Sequence, residues 1–111
     1  MSHEQKVVYG KLIRDRIPEI ISAGGRTPKV RVLPAQDLLP ALIAKLHEEA
    51  DEVAAAEPEA RLGELADVRE VLAALTLTLG FTEADVEAAA ADKRAGRGGF
   101  TRRLWLDEVL P

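Results

Sequence analysis

Apolar residues recur along most of the chain at the spacing of an α-helix. Leu39, Leu42, Leu46 and Val53 form one stripe. A second stripe defines one face of a later segment and contains Leu65, Val68, Val71, Leu72, Leu75 and Leu79. This periodicity predicts long helices over residues 38–56 and 58–79, a third over 83–95, and a short helix over about 16–23.

Capping and breaking residues mark the ends of these helices. Asp15 and Asp37 are expected N-caps, and Thr82 with Asp85 resembles a capping box. Glycines end the predicted helices at Gly24-Gly25 and Gly80, and the glycines after residue 95 form a loop. Alternating residues in 27–33 predict a minor strand, and 104–109 a final short one.

Length and composition limit the architecture. The chain has 111 residues, 47% of them hydrophobic, which fits a single domain over residues 1–111. Aromatic residues are few, whereas Ala and Leu are abundant, so we predict an all-α bundle of three long helices with minor β structure. An Ala-rich helical chain this short often completes its core by oligomerising, which favours a homodimer or homotetramer.

The residue types also exclude some chemistry. The absence of cysteine excludes disulfides, thiolate zinc sites and thiol nucleophiles, and fits a reducing compartment. The opening MSHEQKVV lacks the apolar run of a signal peptide, and the most apolar helix is interrupted by charges, so no membrane association is expected. A cytoplasmic location is the expectation.

Carboxylates collect on the first two long helices. Glu48, Glu49 and Glu52 fall within an arc of about 100° on one helix, and Glu64 and Asp67 lie three residues apart on the next. Glu64 falls inside the apolar face of its helix and Asp67 at its edge. A carboxylate directed at a core needs compensation, and Mg²⁺ or Mn²⁺ supplies it by accepting several oxygen ligands.

The alternative interpretation is a solvated acidic surface. It is the better interpretation for Asp51, Glu57, Glu59 and Glu70, which lie away from the apolar stripes or at the helix junction. Glu48 points away from its own stripe and gains meaning only from the partner helix.

Charge is distributed unevenly, although the net charge is only −4. Residues 48–70 contain nine acidic and two basic residues, whereas 93–103 contain five basic residues and no acidic one. An acidic centre between basic ends suits a metal-bound polyphosphate. The net negative charge argues against general nucleic-acid binding, for which the only basis would be the basic cluster at 93–103.

Three motifs in register resemble one known superfamily. The spacing Glu48-Glu49-x-x-Glu52 followed by Glu64-x-x-Asp67 resembles the EExxE…ExxD signature of the all-α nucleotide pyrophosphohydrolases, which include MazG, dimeric dUTPases and phosphoribosyl-ATP pyrophosphohydrolases. Residues 9–21, YGKLIRDRIPEII, resemble the YNKLVRDKIPEII opening of the phosphoribosyl-ATP pyrophosphohydrolase-like branch, with Gly10 in place of Asn. Residues 93–100, KRAGRGGF, resemble its KRxxRGGF segment.

The resemblance implies Mg²⁺-dependent hydrolysis of a nucleoside triphosphate, or a related nucleotide, to the monophosphate and pyrophosphate. Carried over by position, the metal ligands are Glu49, Glu52, Glu64 and Asp67, and Glu48 orients or deprotonates the attacking water or holds a second metal. The expected phosphate-binding residues come from both ends of the chain: Lys11, Arg14, Asp15, Lys93, Arg94, Gly98 and Gly99.

Each phosphate-binding residue also has a simpler interpretation. Lys11 and Arg14 could be solvated, Asp15 could be only a helix cap, and Gly98-Gly99 only a tight turn. Within the enzyme class, phosphoribosyl-ATP hydrolysis and dUTP-selective hydrolysis remain alternatives. A different class is a non-catalytic helical oligomer whose Glu-rich hairpin is a solvated or protein-binding surface.

Overall fold

The computed structural model describes residues 6–111, and within them the fold is all-α. The helices are α1 (Ile17–Ala23), α2 (Ala35–Ala55), α3 (Arg61–Thr78) and α4 (Glu83–Arg97), with a single 3-10 turn at Pro58–Ala60 before α3. All four predicted helices are therefore present. Residues 1–5, on which the expectation of no signal peptide partly depended, lie outside the described residues. None of the helices within 6–111 is long and apolar enough to cross a membrane.

An antiparallel hairpin of α2 and α3 contains the core. Leu42, near the start of α2, packs with Val71 and Leu75 in the second half of α3. Glu49, two turns further along α2, lies instead beside the first half of α3, so the two helices run in opposite directions. Leu12, Leu38, Leu46 and Ala74 pack around the core and are partly buried. Part of each apolar stripe therefore packs between the helices, whereas Leu65, Leu72 and Leu79 of the predicted second stripe are exposed.

Two of the three expected N-caps are wrong. Arg16, not Asp15, is the N-cap of α1, and no side chain accepts a capping hydrogen bond there. α2 begins earlier than predicted, after Pro34, so Asp37 lies in its first turn; the fixed φ of proline places the chain for helix entry without a polar cap. The capping box of α4 is confirmed: the Asp85 N–H donates to Thr82 Oγ1 (3.1 Å), and the Thr82 N–H donates to Asp85 Oδ2 (2.9 Å).

Neither predicted strand is present. Residues 27–33 and 104–109 have no strand structure, and no residue within 6–111 forms one. A strand needs a neighbour for its backbone N–H and C=O groups and a surface for its apolar side chains. Both segments lack such a surface, since Val32 is 95% exposed and Trp105 is 87% exposed. Alternation along the sequence could not show that this partner is missing.

The chain is far from compact beyond the hairpin. α4 contacts α3 but not α2, and every residue from 83 to 111 is exposed. Gly80, with a φ of 85°, ends α3 in the left-handed region that favours glycine. The radius of gyration is 19.1 Å, compared with about 13 Å for a compact chain of this length. The three long helices therefore do not close into a bundle within one chain.

Candidate metal and phosphate site

Three carboxylates converge where α2 faces α3. One oxygen from each of Glu49, Glu64 and Asp67 lies within 4.8 Å of the other two. Glu49 follows Leu42 by two helical turns, and Glu64 precedes Val71 by two, so both continue the core-facing stripes. Glu49 is buried and the other two are half-buried. The helix periodicity that builds the core therefore also places these acids together.

The environment of Glu64 opposes its ionisation. Loss of hydration raises the pKa of the Glu64 carboxyl, and the negative charges of Glu52, Asp67 and Glu49 raise it further. A divalent cation among these oxygens would remove the repulsion. Glu49 pairs with Lys45 and Asp67 pairs with Arg14, so within residues 6–111 Glu64 is the carboxylate of the cluster that lacks an ion pair.

Glu52 and Glu48 lie outside the cluster formed by the three converging acids. Glu52 is exposed and acts on Glu64 through its charge, but its oxygens are not part of the close cluster. Glu48 is half-buried, and its Oε1 lies 3.3 Å from Lys11 Nζ and 3.6 Å from Lys45 Nζ. Three of the four predicted metal ligands therefore lie close to one another. The predicted catalytic residue, Glu48, lies outside this cluster and beside Lys11 and Lys45.

Lys45 is a site residue that the sequence analysis missed. Its ammonium lies 3.4 Å from Glu49 Oε1 as well as near Glu48, and its side chain is only 16% exposed. The available signal was its spacing, because residues three and four positions apart on a helix are neighbours. Lys45 thus links the carboxylate cluster to Glu48 and supplies a positive charge on the α2 side.

The N-terminal basic residues Lys11 and Arg14 each pair with an acid of the hairpin, and their predicted phosphate-binding role stays a prediction. Arg14 Nη2 donates to Asp67 Oδ1 at 2.6 Å. Lys11 donates to Glu48 and also lies 5.7 Å from the centre of the Tyr9 ring. Asp15, predicted to bind phosphate, is exposed and makes no side-chain hydrogen bond or ion pair with another described residue.

Two open clefts lie beside the hairpin, and neither has Glu49, Glu64 or Asp67 in its wall. A smaller one of about 230 Å³ has Lys11, Lys45 and Glu48 in its wall. A larger one of about 480 Å³ lies between α3 and the first half of α4, with Arg14 in its wall. Each cleft thus has one of the N-terminal cations in its wall, and the larger one also has the carboxylates of Glu70, Glu83 and Glu87.

The C-terminal basic residues are not brought to the carboxylates within one chain. Lys93 and Arg94 lie in the last turns of α4, Gly98 and Gly99 follow it, and all four are exposed. α4 makes no contact with α2, and neither basic side chain forms an ion pair with another residue in 6–111. Their predicted phosphate-binding role stays a prediction.

Comparison with known proteins gives one relative of unstated function. The chain is 53% identical over 47 residues to an uncharacterized protein of Mycolicibacterium smegmatis; the match covers 42% of this chain and 48% of that protein. The chain thus matches about half the length of that relative. No family model matches the sequence, and no solved structure matches it.

Proposed function

We propose that this protein is a metal-dependent nucleotide pyrophosphohydrolase that cleaves a nucleoside triphosphate, or a related nucleotide, to the monophosphate and pyrophosphate. The observation that carries the proposal is the convergence of Glu49, Glu64 and Asp67 between two helices. These residues occupy three positions of the acidic motif that resembles that superfamily. Arg14 and Lys11 add the cationic groups that phosphate oxygens need.

The donor set fits Mg²⁺ or Mn²⁺. Both ions favour carboxylate oxygens, and two ligands of one Mg²⁺ lie at most about 4.2 Å apart, given bonds of about 2.1 Å. Because the oxygens of Glu49, Glu64 and Asp67 lie within 4.8 Å of one another, a closure of about 0.6 Å at most would bring the widest pair within that limit. Glu52, one turn from Glu49 on the same side of α2, is the remaining ligand that the resemblance implies.

The residues of the site have separate roles in the proposed hydrolysis. The bound ion would polarise the phosphoryl oxygens and acidify the attacking water. Glu48 orients that water and accepts its proton, while Lys11 and Lys45 hold the Glu48 carboxylate in place. Arg14 neutralises charge that develops on the departing pyrophosphate. Water replaces pyrophosphate at phosphorus directly, so no covalent intermediate is needed.

The backbone at Gly10 also supports the resemblance. Gly10 has a φ of 55°, in the left-handed region, and forms part of the smaller cleft next to Lys11. The YNKLVRDKIPEII opening, which residues 9–21 resemble, carries Asn at this position. Gly and Asn are the residues that adopt this conformation most readily, so the replacement retains the backbone that directs Lys11.

The direct test is pyrophosphate release from a substrate panel. The panel contains the common nucleoside triphosphates, dUTP, damaged purine nucleotides and phosphoribosyl-ATP, each with Mg²⁺, with Mn²⁺ and with a chelator. We expect metal-dependent release from at least one substrate, and the preferred one separates a house-cleaning hydrolase from a dUTP-selective or phosphoribosyl-ATP hydrolase. Absence of release across the panel would contradict the proposal.

A non-catalytic helical protein is the second candidate, and Lys45 is the observation that favours it. Its ammonium partly compensates Glu48 and Glu49 without any ion. In that case the acidic cluster is an internally paired surface. The melting temperature separates the two candidates, because a ligand that binds only the folded state must raise it. The enzyme predicts a rise with Mn²⁺, and the non-catalytic protein predicts none.

The proposed enzyme acts as a homo-oligomer, either a dimer or a tetramer, in the cytoplasm. The exposed surface supports association: Leu42, Val71 and Leu75 are the only buried apolar residues within 6–111, too few for an independently stable domain. The absence of cysteine supports a reducing compartment. Nucleotides, rather than nucleic acids or membranes, are the proposed partners.

A further inference from the structure

Two segments outside the helices have strand-like side-chain patterns and unpaired backbones. Residues 27–33 lie between α1 and α2, and residues 104–109 follow α4. Neither segment makes a backbone–backbone hydrogen bond with any residue in 6–111. Each therefore presents a row of unpaired N–H and C=O groups, as the edge strand of a sheet does.

The first segment combines apolar and basic residues. Val30 and Val32 are exposed and alternate with Lys29 and Arg31. Alternate positions of a strand lie on opposite faces, so the pattern gives one apolar face and one basic face. The segment contains no acidic residue, and neither Lys29 nor Arg31 forms an ion pair with a residue in 6–111. Its positive charge is thus available to a partner.

The second segment has the complementary composition. Leu104 and Leu106 alternate with Trp105 and Asp107, and all four side chains are exposed. Residues 104–109 contain two carboxylates and no basic residue. Neither carboxylate forms an ion pair within the described part of the chain. The second segment therefore matches the first in its apolar spacing and is opposite to it in charge.

One antiparallel register aligns both patterns over four residue pairs. The residues that lie opposite each other in this register are Val32 with Leu104, Arg31 with Trp105, Val30 with Leu106 and Lys29 with Asp107. One face of the resulting two-stranded ribbon is apolar. The other face places a guanidinium on an indole ring and an ammonium beside a carboxylate, which are both favourable cross-strand contacts. A parallel register that aligns the same apolar residues would place Lys29 beside Arg103, so that two like charges meet.

We propose that residues 27–33 of one chain pair in this antiparallel register with residues 104–109 of a second copy, and that the exchange is reciprocal, as a two-fold assembly requires. A second copy is the partner because the two segments are complementary in charge yet share no hydrogen bond within one chain. An isolated two-stranded ribbon is only marginally stable in water. The inference therefore rests on the homo-oligomer proposed above, since chains that are already held together bring the segments to a high effective concentration.

Mixtures of single cysteine variants test the register. The chain has no cysteine, and a disulfide needs Cβ atoms about 3.8 Å apart. Opposite residues alternate between a closer and a wider spacing, so two mixtures are used: Val32→Cys with Leu104→Cys, and Arg31→Cys with Trp105→Cys. After joint refolding and mild oxidation, at least one mixture should give a disulfide-linked dimer on a denaturing gel. Val32→Cys with Val109→Cys, a distant position of the ribbon, should give about tenfold less. No dimer from either mixture, or an equal yield from the control, would overturn the pairing.

A double variant tests whether the ribbon joins two chains or closes within one. Val32→Cys/Leu104→Cys carries both thiols in the same chain, and we expect it to form linked dimers. A monomer that migrates faster without reductant than with it would show that the disulfide closes within one chain. That result would overturn the assignment of the partner segment to a second copy.

Charge exchange tests the pairing of Lys29 with Asp107. Both faces of the ribbon remain in contact with water, so each cross-strand pair has a small effect. Lys29→Glu in the Val32→Cys chain should lower the disulfide yield with Leu104→Cys about threefold, and Asp107→Lys in the Leu104→Cys chain should restore it. Glu108→Lys is the matched control, because position 108 lies on the other face of the ribbon and should not restore the yield. No restoration by Asp107→Lys, or equal restoration by Glu108→Lys, would contradict the register.

The cross-linking measurements are independent of catalysis. If the disulfides form as expected while the substrate panel shows no pyrophosphate release, the strand pairing stands and the catalytic proposal fails. If pyrophosphate is released but no mixture forms a linked dimer, the catalytic proposal stands and the strand pairing fails. The two proposals can therefore fail separately.

Discussion

The α2–α3 hairpin and the C-terminal region, residues 83–111, both contain a helix and apolar residues, but only the hairpin buries some of them. In the hairpin, apolar and acidic residues from two helices meet, forming a core and a carboxylate cluster. In the C-terminal region, a well-capped helix and a segment containing Trp105 and Phe100 remain exposed throughout. Local helix signals are strong in both, but only the hairpin has a partner for its apolar side chains within the chain.

The same difference separates the carboxylates of the proposed site from its C-terminal basic residues. The acids and their N-terminal cations, Lys11 and Arg14, are joined by contacts within one chain. Lys93 and Arg94 belong to a helix that does not contact α2. A single chain therefore brings together the carboxylates and the N-terminal cations of the proposed site, while the role of the C-terminal cations depends on how the chain assembles.

The largest expected effect comes from removing a carboxylate of the hairpin. Glu64→Gln should lower metal-dependent pyrophosphate release by at least about 100-fold, because loss of even an outer partner of a metal site costs about 10–100-fold. The same variant should lose the Mn²⁺-induced rise in melting temperature. Glu57→Gln, an exposed carboxylate outside the cluster, is the control and should retain both. An active Glu64→Gln enzyme would refute the assignment.

The pH dependence of the melting temperature, measured without metal, provides a second test of the role of Glu64. Because the folded state raises the pKa of Glu64, the folded chain binds that proton more tightly than the unfolded chain does. The contribution of Glu64 to stability is therefore present at low pH and is lost as the pH rises through the raised pKa. Without metal, the melting temperature of Glu64→Gln relative to wild type should increase between pH 4 and pH 7. A constant difference would contradict the raised pKa.

Truncating one leucine in each region gives the next largest effect. Leu42 is 4% exposed and Leu106 is 76% exposed. Leu42→Ala should reduce the free energy of unfolding by about 2–3 kcal/mol through lost burial and a residual cavity, whereas Leu106→Ala should change it by less than about 0.5 kcal/mol. Urea denaturation at fixed protein concentration measures both. A large loss for Leu106→Ala would show that the C-terminal segment is buried in the assembly.

The helices were predictable because helix formation depends on near neighbours along the chain. The spacing of Leu42, Leu46, Val71 and Leu75 identifies the faces that pack, and the Thr82–Asp85 capping box identifies the start of α4. The convergence of Glu49, Glu64 and Asp67 was predictable for the same reason, since their positions follow from the phase of those helices.

The two strand predictions fail because a strand depends on a partner distant in sequence. Residues 27–33 and 104–109 alternate as strands do, yet no strand within 6–111 lies beside them. Asp37 has the chemistry of a cap, but Pro34 starts the helix first. The spacing of Lys45 to Glu48 and Glu49 indicated the pairing, but spacing alone does not show that the Lys45 side chain is only 16% exposed.

The smallest expected effect concerns Lys45, which tests how the hairpin balances its charges without an ion. Lys45→Met retains most of the aliphatic stem but removes the ammonium beside Glu48 and Glu49. Since this pairing is only partly buried, the metal-free protein should lose about 1 kcal/mol of unfolding free energy. Because Lys45 and the proposed ion would share Glu49, Mn²⁺ should bind Lys45→Met about fivefold more tightly by calorimetry, the same energy expressed as affinity.

Lys93→Met is the matched control, because it removes an exposed ammonium of the C-terminal region that pairs with no residue in 6–111. It should leave both the unfolding free energy and Mn²⁺ affinity unchanged. If Lys45→Met also leaves Mn²⁺ affinity unchanged, the ammonium and the ion do not share Glu49, and the ion would have to bind on the Glu64 and Asp67 side alone. If Lys45→Met weakens Mn²⁺ binding, Lys45 instead holds Glu49 in the orientation that the ion needs, and its role is positioning rather than competition.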